Sequence, residues 1–359
     1  MPVIAVAALT DLAYRIVRCT GSAEAEARIV AEHLVGANLS GHDSHGVGML
    51  SPYMMNFHKG LLVPNTEPAT IRDDGPFLQF DGGKGYGQRV AADAMAAAVA
   101  RCRETGVTVM TLRNAHHIGR VGTYGEMAIA AGLISLHFVN VTDHRALVVP
   151  HRGREARFGT NPVCIAMPTG NPDEPLLLDM ATSKVAMGKL RVAHNAGERV
   201  AQGLAVDAAG EPTTDFGTMF DDPPGSLVPF AEHKGYGLSL MAELLSGALS
   251  GGGTLQPGNE RLGGIINTMT VFVVDPAQLG DAGWIAGEVD AMVAYAKSSK
   301  PVDPALPVLA PGEPERLRRA ERRRDGIALD AQTWDLIVEA GNSVGLDPAE
   351  AARIAGTGG

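Results

Sequence analysis

The chain has 359 residues and a mass of 37.4 kDa; 45% of its residues are hydrophobic and 19% are charged. These values exclude a disordered or collagen-like chain and predict a globular protein of one large domain or about two smaller ones. Thirty Lys and Arg against 40 Asp and Glu give a net charge of −10, which argues against a nucleic-acid-binding protein.

The spacing of the cysteines and the hydropathy of the chain predict the cellular compartment of the protein. Cys19, Cys102 and Cys164 lie far apart without CxxC spacing, so the sequence predicts reduced thiols and neither a disulfide framework nor a zinc ribbon. There is no basic and apolar leader at the N-terminus, and no stretch approaches the ~20 apolar residues that a membrane span needs. We therefore expect a cytoplasmic protein that makes no use of a membrane.

Helical patterns occupy the first forty residues, where Ser22 is positioned to cap a helix that carries acidic residues in its first turn. The stretch 51–87 contains Gly and Pro and reads as irregular, with a short extended piece at 77–80. An alanine-rich helix is predicted from about 88 to 104, ended by Gly106.

An alternation of strands and helices then sets the fold class. A helix ends near Gly132, and a long apolar helix follows at 236–249. Buried-strand patterns lie at 107–112, 133–141, 163–167, 176–178 and 270–274. These elements predict an α/β fold with a three-layer core, and the last sixty residues return to helix.

The helix predicted at 313–324 carries a run of arginines: Arg316, Arg318, Arg319, Arg322, Arg323 and Arg324. Such a run is typical of the solvated face of a helix. Neither aromatic residues nor a motif accompany it, so it gives no support to a nucleic-acid site.

The glycine-rich segment 82–87 lacks the GxGxxG spacing of an ordinary Rossmann turn, and no Walker motif follows it. We expect a flexible loop there. A dinucleotide, if one binds, must bind in another way.

The densest polar cluster is GHDSHG at 41–46. Its imidazole titrates near neutral pH, as proton transfer requires, and small neighbours let a ligand approach. A serine-hydrolase pair of Ser44 and His45 is excluded because adjacent side chains point to different faces. Two readings stay open: Ser44 and His45 act on a substrate oxygen, or a capping Asp–Ser pair precedes an ordinary histidine.

The segment HHIGR at 116–120 follows a predicted strand, where loop residues often carry function. Neighbouring histidines rarely bind one metal ion, so we expect no metal here. Asp179 ends another strand pattern and either caps the next segment or orients His45 in a Ser44–His45–Asp179 relay.

The segment EHKGYG at 232–237 precedes the long apolar helix. A lysine at a helix start opposes the helix dipole unless an anion joins it. Lys234 is thus a candidate phosphate contact, with a surface lysine as the alternative.

Together these segments resemble the malate/L-lactate (sulfolactate) dehydrogenase family of NAD(P)-dependent oxidoreductases, and within it the branch called hydroxycarboxylate dehydrogenase B. The similarity spans nearly the whole chain in the right order. The matching segments are GHDSHGVGM at 41–49, HHIGRVGTYGEMA at 116–128, FGTNP at 158–162, LLLDMATS at 176–183, EHKGYGLSLMAELLSGALSGG at 232–252, PGE at 311–313 and DGIALD at 325–330.

The resemblance implies a three-layer α/β/α domain with a mixed sheet, like that of sulfolactate dehydrogenase and unlike an ordinary Rossmann fold. This cofactor-binding domain would span 76–299. A helical substrate and dimerisation portion would combine 1–75 with 300–359. The family forms homodimers, so a homodimer is expected, with a small 2-oxo or 2-hydroxy acid as the other partner.

The resemblance also implies roles for individual residues. Ser44, His45 and Asp179 match a proton relay, and His117 matches a histidine assigned as proton acceptor in some members. The residues that match contacts to NAD or NADP are His117, Ile118, Gly119, Arg120, Gly159, Thr160, Asn161, Met180, Ala181, Thr182, His233, Lys234, Gly235, Pro311, Gly312 and Glu313.

One position departs from the family pattern. Many members carry an arginine that binds the substrate carboxylate where this chain has Met49. Arg120 is the first candidate for that task and Arg145 the second, and the substrate range is expected to differ, with room for a bulkier apolar or aromatic side chain.

The functional hypothesis is reversible reduction of a 2-oxo acid to a 2-hydroxy acid, such as malate, lactate or a hydroxyphenylpyruvate-like acid. His45 would move the proton, and His117 would polarise the carbonyl or exchange roles with it. Two alternatives stay open: reduction of a cyclic imino acid, or a dimer that binds without catalysis. The sequence decides neither the substrate and its stereochemistry nor the choice between NAD and NADP.

Overall fold

The computed structural model describes residues 1–187 and 201–357. The helices of this part are α1 (Val6–Cys19), α2 (Glu24–Leu39), α3 (Leu50–His58), α4 (Gly87–Thr105), α5 (Gly122–Ala130), α6 (His233–Glu243), α7 (Ala282–Lys297), α8 (Glu313–Asp325), α9 (Ala331–Ser343) and α10 (Pro348–Ala355). The strands are β1 (Val3–Ile4), β2 (Ala69–Asp74), β3 (Phe77–Asp81), β4 (Val107–His116), β5 (Ile134–Val141), β6 (Val163–Met167), β7 (Leu176–Met180), β8 (Ala205–Val206), β9 (Pro212–Thr213), β10 (Ser226–Leu227), β11 (Ile266–Val274) and β12 (Ile327–Ala328).

A seven-stranded mixed sheet forms the centre, in the order β2-β3-β4-β11-β5-β6-β7. The β3–β4 pair is parallel, and the other neighbours are antiparallel. Side chains of β11 alternate between the two faces of the sheet, as a strand requires. Met269 and Val271 pack into the apolar cluster with α4 and α5, whereas the hydroxyls of Thr268 and Thr270 bond to the π-helical turn Leu244–Ala248 that continues α6. Helices therefore cover both faces, and the predicted three-layer α/β fold is confirmed.

The two chain ends build a separate apolar cluster from α1, α2, α3, α9 and α10. Strand β1 near the N-terminus pairs with β12 near the C-terminus. A helical portion drawn from both ends is thus present, as the resemblance implied, while the division at 75/76 and 299/300 stays a prediction.

The prediction of an irregular stretch at 51–87 missed α3 and β2, whereas the extended piece predicted at 77–80 is confirmed as β3. Pro52 sits in the first turn of α3, where a missing N–H costs nothing, so it permits the helix that it was taken to exclude. Ser22 was also misread: α2 follows Ala23, and Ser22 bonds to Thr20 instead.

The glycine-rich segment 82–87 is tied down, so the expectation of a flexible loop was wrong. The Lys84 N–H donates to the Asn114 carbonyl at 2.8 Å, and the His116 N–H donates to Gly85. A side-chain carbon on Gly87 would lie 2.1 Å from the His116 oxygen. Glycine here lets the first turn of α4 rest directly on the end of β4.

The arginines of α8 are only partly solvated, which corrects the expected solvated face. Arg316 donates to the Pro175 carbonyl, Arg319 to Ser40 and Glu126, and Arg322 to Asp43. These three lie at spacings of three residues along α8: Arg319 and Arg322 reach residues that follow α2, and Arg316 reaches the residue before β7. They dock α8 beside the polar segment at 41–46.

Two further findings concern the described residues. None of their helices is long and apolar enough to cross a bilayer. All three cysteines are free thiols; Cys102 and Cys164 are buried and Cys19 is exposed.

Candidate active site

Three parts of the fold converge on a cavity of about 930 Å³. The turn at Asp43–His45 follows α2 and supplies Ser44 and His45. The loop after β4 supplies Arg120, and the end of β7 supplies Asp179. The cavity thus lies between the helical portion and the sheet, as a ligand site in an α/β protein usually does.

His45 meets His117 across this junction. Nδ1 of His45 lies 3.2 Å from Nε2 of His117, and the rings stack with centroids 5.3 Å apart. Because Nδ1 is engaged, Nε2 is the nitrogen of His45 that remains for a ligand. His45 lines the cavity and is partly exposed, whereas His117 is buried behind it.

Sequence reasoning missed the partners of His117. Nδ1 of His117 lies 2.6 Å from the Tyr53 hydroxyl, and that hydroxyl accepts a hydrogen bond from Nε2 of Gln88 at 2.6 Å. Tyr53 and Gln88 are fully buried. The helical spacing of Leu50, Tyr53 and Met54 was the available signal for Tyr53; nothing in the alanine-rich pattern of α4 singled out Gln88.

Arg120 is only 1% exposed, so its charge needs partners inside the protein. Nη1 bonds to Glu126 at 2.9 Å, and Nε lies 3.5 Å from Asp179. Nη2 is buried with no hydrogen-bond partner among the described residues. Glu126 was not recognised from the sequence, and it also pairs with Arg319 of α8.

The proposed Ser44–His45–Asp179 relay is not a hydrogen-bonded chain here. In the described ranges, Asp179 accepts from the Gly122 N–H at 2.8 Å, and Ser44 makes no side-chain hydrogen bond. All three residues nevertheless line the cavity, and the Asp179 charge acts to raise the pKa of His45.

The loop between His117 and Arg120 is fixed by its backbone. The Ile118 N–H donates to Asn267, and the Arg120 N–H donates to Nε2 of His33 at 2.9 Å. Gly119 has φ +75°, and a side-chain carbon there would lie 2.4 Å from that His33 nitrogen. Only glycine satisfies both conditions.

The predicted cofactor segments at 159–161 and 180–182 lie together. Thr160, Met180 and Ala181 line the cavity. The Thr160 carbonyl accepts from both the N–H and the hydroxyl of Thr182, and Gly159 is buried. Asn161 is buried and bonds to Glu243 of α6 at 2.8 Å, which holds this loop against the helix.

The other predicted cofactor residues surround this region without lining the cavity. His233 and Lys234 are exposed at the start of α6, as predicted, and Gly235 is buried against the Phe230 carbonyl. Phe230 itself lines the cavity. Of the segment 311–313, Pro311 accepts from the Leu177 N–H, Gly312 begins α8 at φ +91°, and Glu313 pairs with Lys297.

Of the three positions that the sequence linked to substrate binding, one lines the cavity and two do not. Arg120 lines the cavity, whereas Arg145 is exposed, bonds to the Met219 carbonyl and does not line it. Met49 packs against the helical cluster, and its neighbour Gly48 lines the cavity. Within residues 1–187 and 201–357, no group of three or more metal-ligating side chains was found.

Burial controls the charge of the histidines here. It lowers the pKa of His45 from 6.5 to about 4, against the opposing effect of the Asp179 charge, and lowers that of His117 well below 6.5. Burial likewise lowers the pKa of His33 and of His116 to about 3. The site therefore holds neutral imidazoles at pH 7, each with its proton on one nitrogen.

Comparison with known proteins agrees with this geometry. The family model described as malate/L-lactate dehydrogenase matches residues 4–338. The chain belongs to this family. It is 42% identical to hydroxycarboxylate dehydrogenase B of Escherichia coli K12 over 92% of this chain and 91% of that protein.

Solved structures of the family show the same fold. A putative malate/lactate dehydrogenase from E. coli matches with a TM-score of 0.94 at 40% identity, covering 99% of this chain and 98% of the other. Sulfolactate dehydrogenase from Methanocaldococcus jannaschii matches with a TM-score of 0.83 at 29% identity, covering 97% and 99%. The family resemblance drawn from the sequence, and the sulfolactate-dehydrogenase-like fold it implied, are confirmed.

The buried histidines predict an acid-sensitive fold. A histidine kept neutral by folding binds its proton only on unfolding, so its stabilising effect is complete above pH 6.5 and is lost as the pH falls towards its folded pKa. Each such group adds a slope of about 1.4 kcal/mol per pH unit between these values. The histidines that behave in this way are His33, His45, His116, His117 and His137. Burial raises the pKa of Glu243, so Glu243 binds a proton in the folded state and offsets the loss of stability at low pH by at most one proton.

We expect the free energy of unfolding in urea to fall steeply between about pH 6.5 and pH 4.5. His137→Gln should reduce this slope by about 1.4 kcal/mol per pH unit, because His137 is buried on β5 and its pKa is lowered to about 3. A slope identical in the variant and the parent protein would contradict the assignment of a neutral buried His137.

Proposed function

We propose that this chain is an NAD(P)-dependent 2-hydroxycarboxylate dehydrogenase that interconverts a 2-oxo acid and a 2-hydroxy acid, with His45 as the group that donates and accepts the proton. The observation that carries this proposal is the His45–His117 pair at the cavity wall: 3.2 Å apart, with Nε2 of His45 left for a ligand and Arg120 on the same wall. Proton transfer beside a fixed positive charge is what a 2-oxo carboxylate requires.

The residues present fit a nicotinamide dinucleotide. Lys184 and Arg318 line the cavity and supply positive charge for a pyrophosphate. The stretches that would hold the cofactor are 117–122, 159–161, 180–182, 233–235 and 311–313. The bound cofactor supplies or takes up hydride. The choice between NAD and NADP stays open.

The protein's contribution to reduction follows from the contacts. The bound cofactor would exchange hydride with the carbonyl carbon, and the protein's part is the proton. The developing alkoxide oxygen takes its proton from Nε2 of His45, and a proton from solvent enters the ring as this one leaves, so that His45 ends as a neutral imidazole. Oxidation of the hydroxy acid runs these steps in reverse. His117 has both ring nitrogens engaged and is buried, which favours His45 as the residue that meets the substrate.

The substrate carboxylate is assigned to Arg120 rather than Arg145. Arg120 lines the cavity and has an unpaired buried Nη2 among the described residues, whereas Arg145 lies outside the lining. Met49 supplies no charge to bind the carboxylate. With Arg120 in that role, the carboxylate would lie beside the loop that follows β4. Glu126 and Asp179 then orient the guanidinium without contacting the substrate.

A cyclic imino acid is the second candidate substrate. It too presents an sp² carbon beside a carboxylate, and the Arg120 and His45 arrangement accommodates either. A dimer that binds without catalysis is disfavoured, because it gives no reason for a polar histidine pair at a cavity wall, where desolvation is costly.

We further propose that the protein is a homodimer. Helix α7 has no buried residue, and Trp284 is 67% exposed, Met292 59% and Tyr295 73%. On the sheet edge near β7, Ile165 and Leu178 are 39% and 38% exposed. A second copy offers α7 an apolar surface of this kind. A cytoplasmic location stays a prediction from the sequence.

Replacing His45 tests the proposed function. The parent protein should oxidise NADH or NADPH with at least one of pyruvate, oxaloacetate, a phenylpyruvate or a cyclic imine, followed by nicotinamide absorbance. His45→Gln should lower turnover by about 10²–10⁴-fold while cofactor affinity, measured by fluorescence titration, stays nearly unchanged. His137→Gln is the matched control, since it removes a neutral imidazole that is buried and does not line the cavity. Unchanged turnover in His45→Gln would sink the assignment.

Charge placed on α7 tests the dimer. The parent protein should sediment at twice the chain mass, and the double substitution Trp284→Glu with Tyr295→Glu should give monomers, because a buried unpaired carboxylate is costly. Ile71→Glu on β2, at the opposite edge of the sheet, controls for added charge and should leave the mass unaltered. A monomeric parent protein, or a dimeric double variant, would refute this interface.

A further inference from the structure

Four side chains form an unbroken polar line from the protein interior to the cavity. Nε2 of Gln88 donates to the Tyr53 hydroxyl at 2.6 Å, the hydroxyl meets Nδ1 of His117 at 2.6 Å, and Nε2 of His117 meets Nδ1 of His45 at 3.2 Å. Gln88 and Tyr53 are fully buried, and His117 is 7% exposed. We call this set the Gln88–His45 chain.

The Gln88–His45 chain has a direction, because each member has a limited set of donors. The Tyr53 oxygen accepts from Gln88, so its single O–H is free to donate to Nδ1 of His117. A neutral imidazole that accepts at Nδ1 carries its proton at Nε2. His117 therefore donates to Nδ1 of His45, and His45 carries its own proton at Nε2, towards the cavity.

We propose that Gln88 and Tyr53 are positioning residues that determine which nitrogen of His45 carries the proton and, with it, whether the site meets a hydrogen-bond acceptor or a donor. The proposal concerns the same site as the proposed function, and its catalytic meaning rests on that function. Neither Gln88 nor Tyr53 lines the cavity, so both act through His117.

The amide of Gln88 can also support the opposite direction. Its Oε1 is buried without a hydrogen-bond partner among the described residues. Rotation of the amide would offer this oxygen to the Tyr53 O–H, after which His117 would donate to Tyr53 from Nδ1 and His45 would donate to His117. His45 would then present a lone pair at Nε2. An oxo acid only accepts at its carbonyl, whereas a hydroxy acid donates its O–H, so the two directions match the two substrates.

The surroundings leave few competing partners for this chain. The neighbouring His116 ring is engaged through Nε2 with Asn56 at 2.9 Å. Gln88 is held in the first turn of α4 by the close approach of Gly87 to the His116 carbonyl. Tyr86 packs edge-on against the Tyr53 ring, with centroids 6.2 Å apart, and its own hydroxyl lies near Thr20. In the described residues, the Tyr53 hydroxyl bonds to Gln88 and His117 alone.

The direct test is nitrogen NMR of the protein labelled with ¹⁵N-histidine, at pH 7 and without ligand, since the two neutral tautomers differ in their nitrogen shifts. Spectra of His45→Gln and His117→Gln identify the two signals. We expect both rings of the parent protein to carry the proton at Nε2. In Gln88→Glu the carboxylate can only accept, so both rings should move to the Nδ1–H form. Tyr53→Phe removes the link and should give mixed tautomers at His117.

Kinetics give a second readout. Gln88→Glu should raise KM for the oxo acid by about tenfold, the loss of one hydrogen bond, and should leave KM for the hydroxy acid nearly unchanged. A merely structural role would raise both together. Parent tautomers at Nδ1, or tautomers that do not respond to Gln88→Glu and Tyr53→Phe, would overturn the proposal. Because NMR needs no substrate, its result stands apart from any failure of the proposed dehydrogenase activity.

Discussion

The contact between His45 and His117 is the interaction on which the site depends. It joins a turn of the helical portion to the end of β4 in the sheet, and these regions belong to different apolar clusters. Each cluster buries its own aliphatic side chains, so the polar pair lies where the two meet. That position gives an imidazole both a dry environment, which keeps it neutral, and access to a cavity, which lets it act.

The buried charge of Arg120 stabilises the same junction between the helical portion and the sheet. Arg120 is retained in the interior because Glu126 and Asp179 compensate it, and Glu126 also receives Arg319 from α8. Removing one carboxylate would leave a buried guanidinium short of partners, which is more costly than the pair is stabilising. Helix α8 is therefore part of the site, although Arg319 lies nearly 200 residues from Arg120 in the chain.

Much of the fold could be predicted from local patterns. Gly106 ends α4 in the left-handed conformation, and β-branched runs mark β4 and β11. Motif similarity predicted that Ser44, His45 and Asp179 share one site, and all three line the same cavity. What local reasoning missed were contacts between distant segments: His45 and His117 are 72 residues apart, and Tyr53 meets Gln88 across 35. Helix α3 was not predicted, because its segment contains Pro52. The arginine run was interpreted as solvated, although three of its members dock α8. The hydrophobic periodicity of a sequence indicates which face of an element is buried. It does not indicate which polar residue from another segment contacts that face.

The most direct measurement of the central claim is a crystal structure of the protein with reduced cofactor and oxamate, an unreactive likeness of a 2-oxo acid. The account predicts that the oxamate carbonyl oxygen lies within hydrogen-bond distance of Nε2 of His45, that its carboxylate contacts Arg120, and that the nicotinamide ring occupies the same cavity. Oxamate bound away from His45, or a nicotinamide ring on the far side of the sheet, would contradict it.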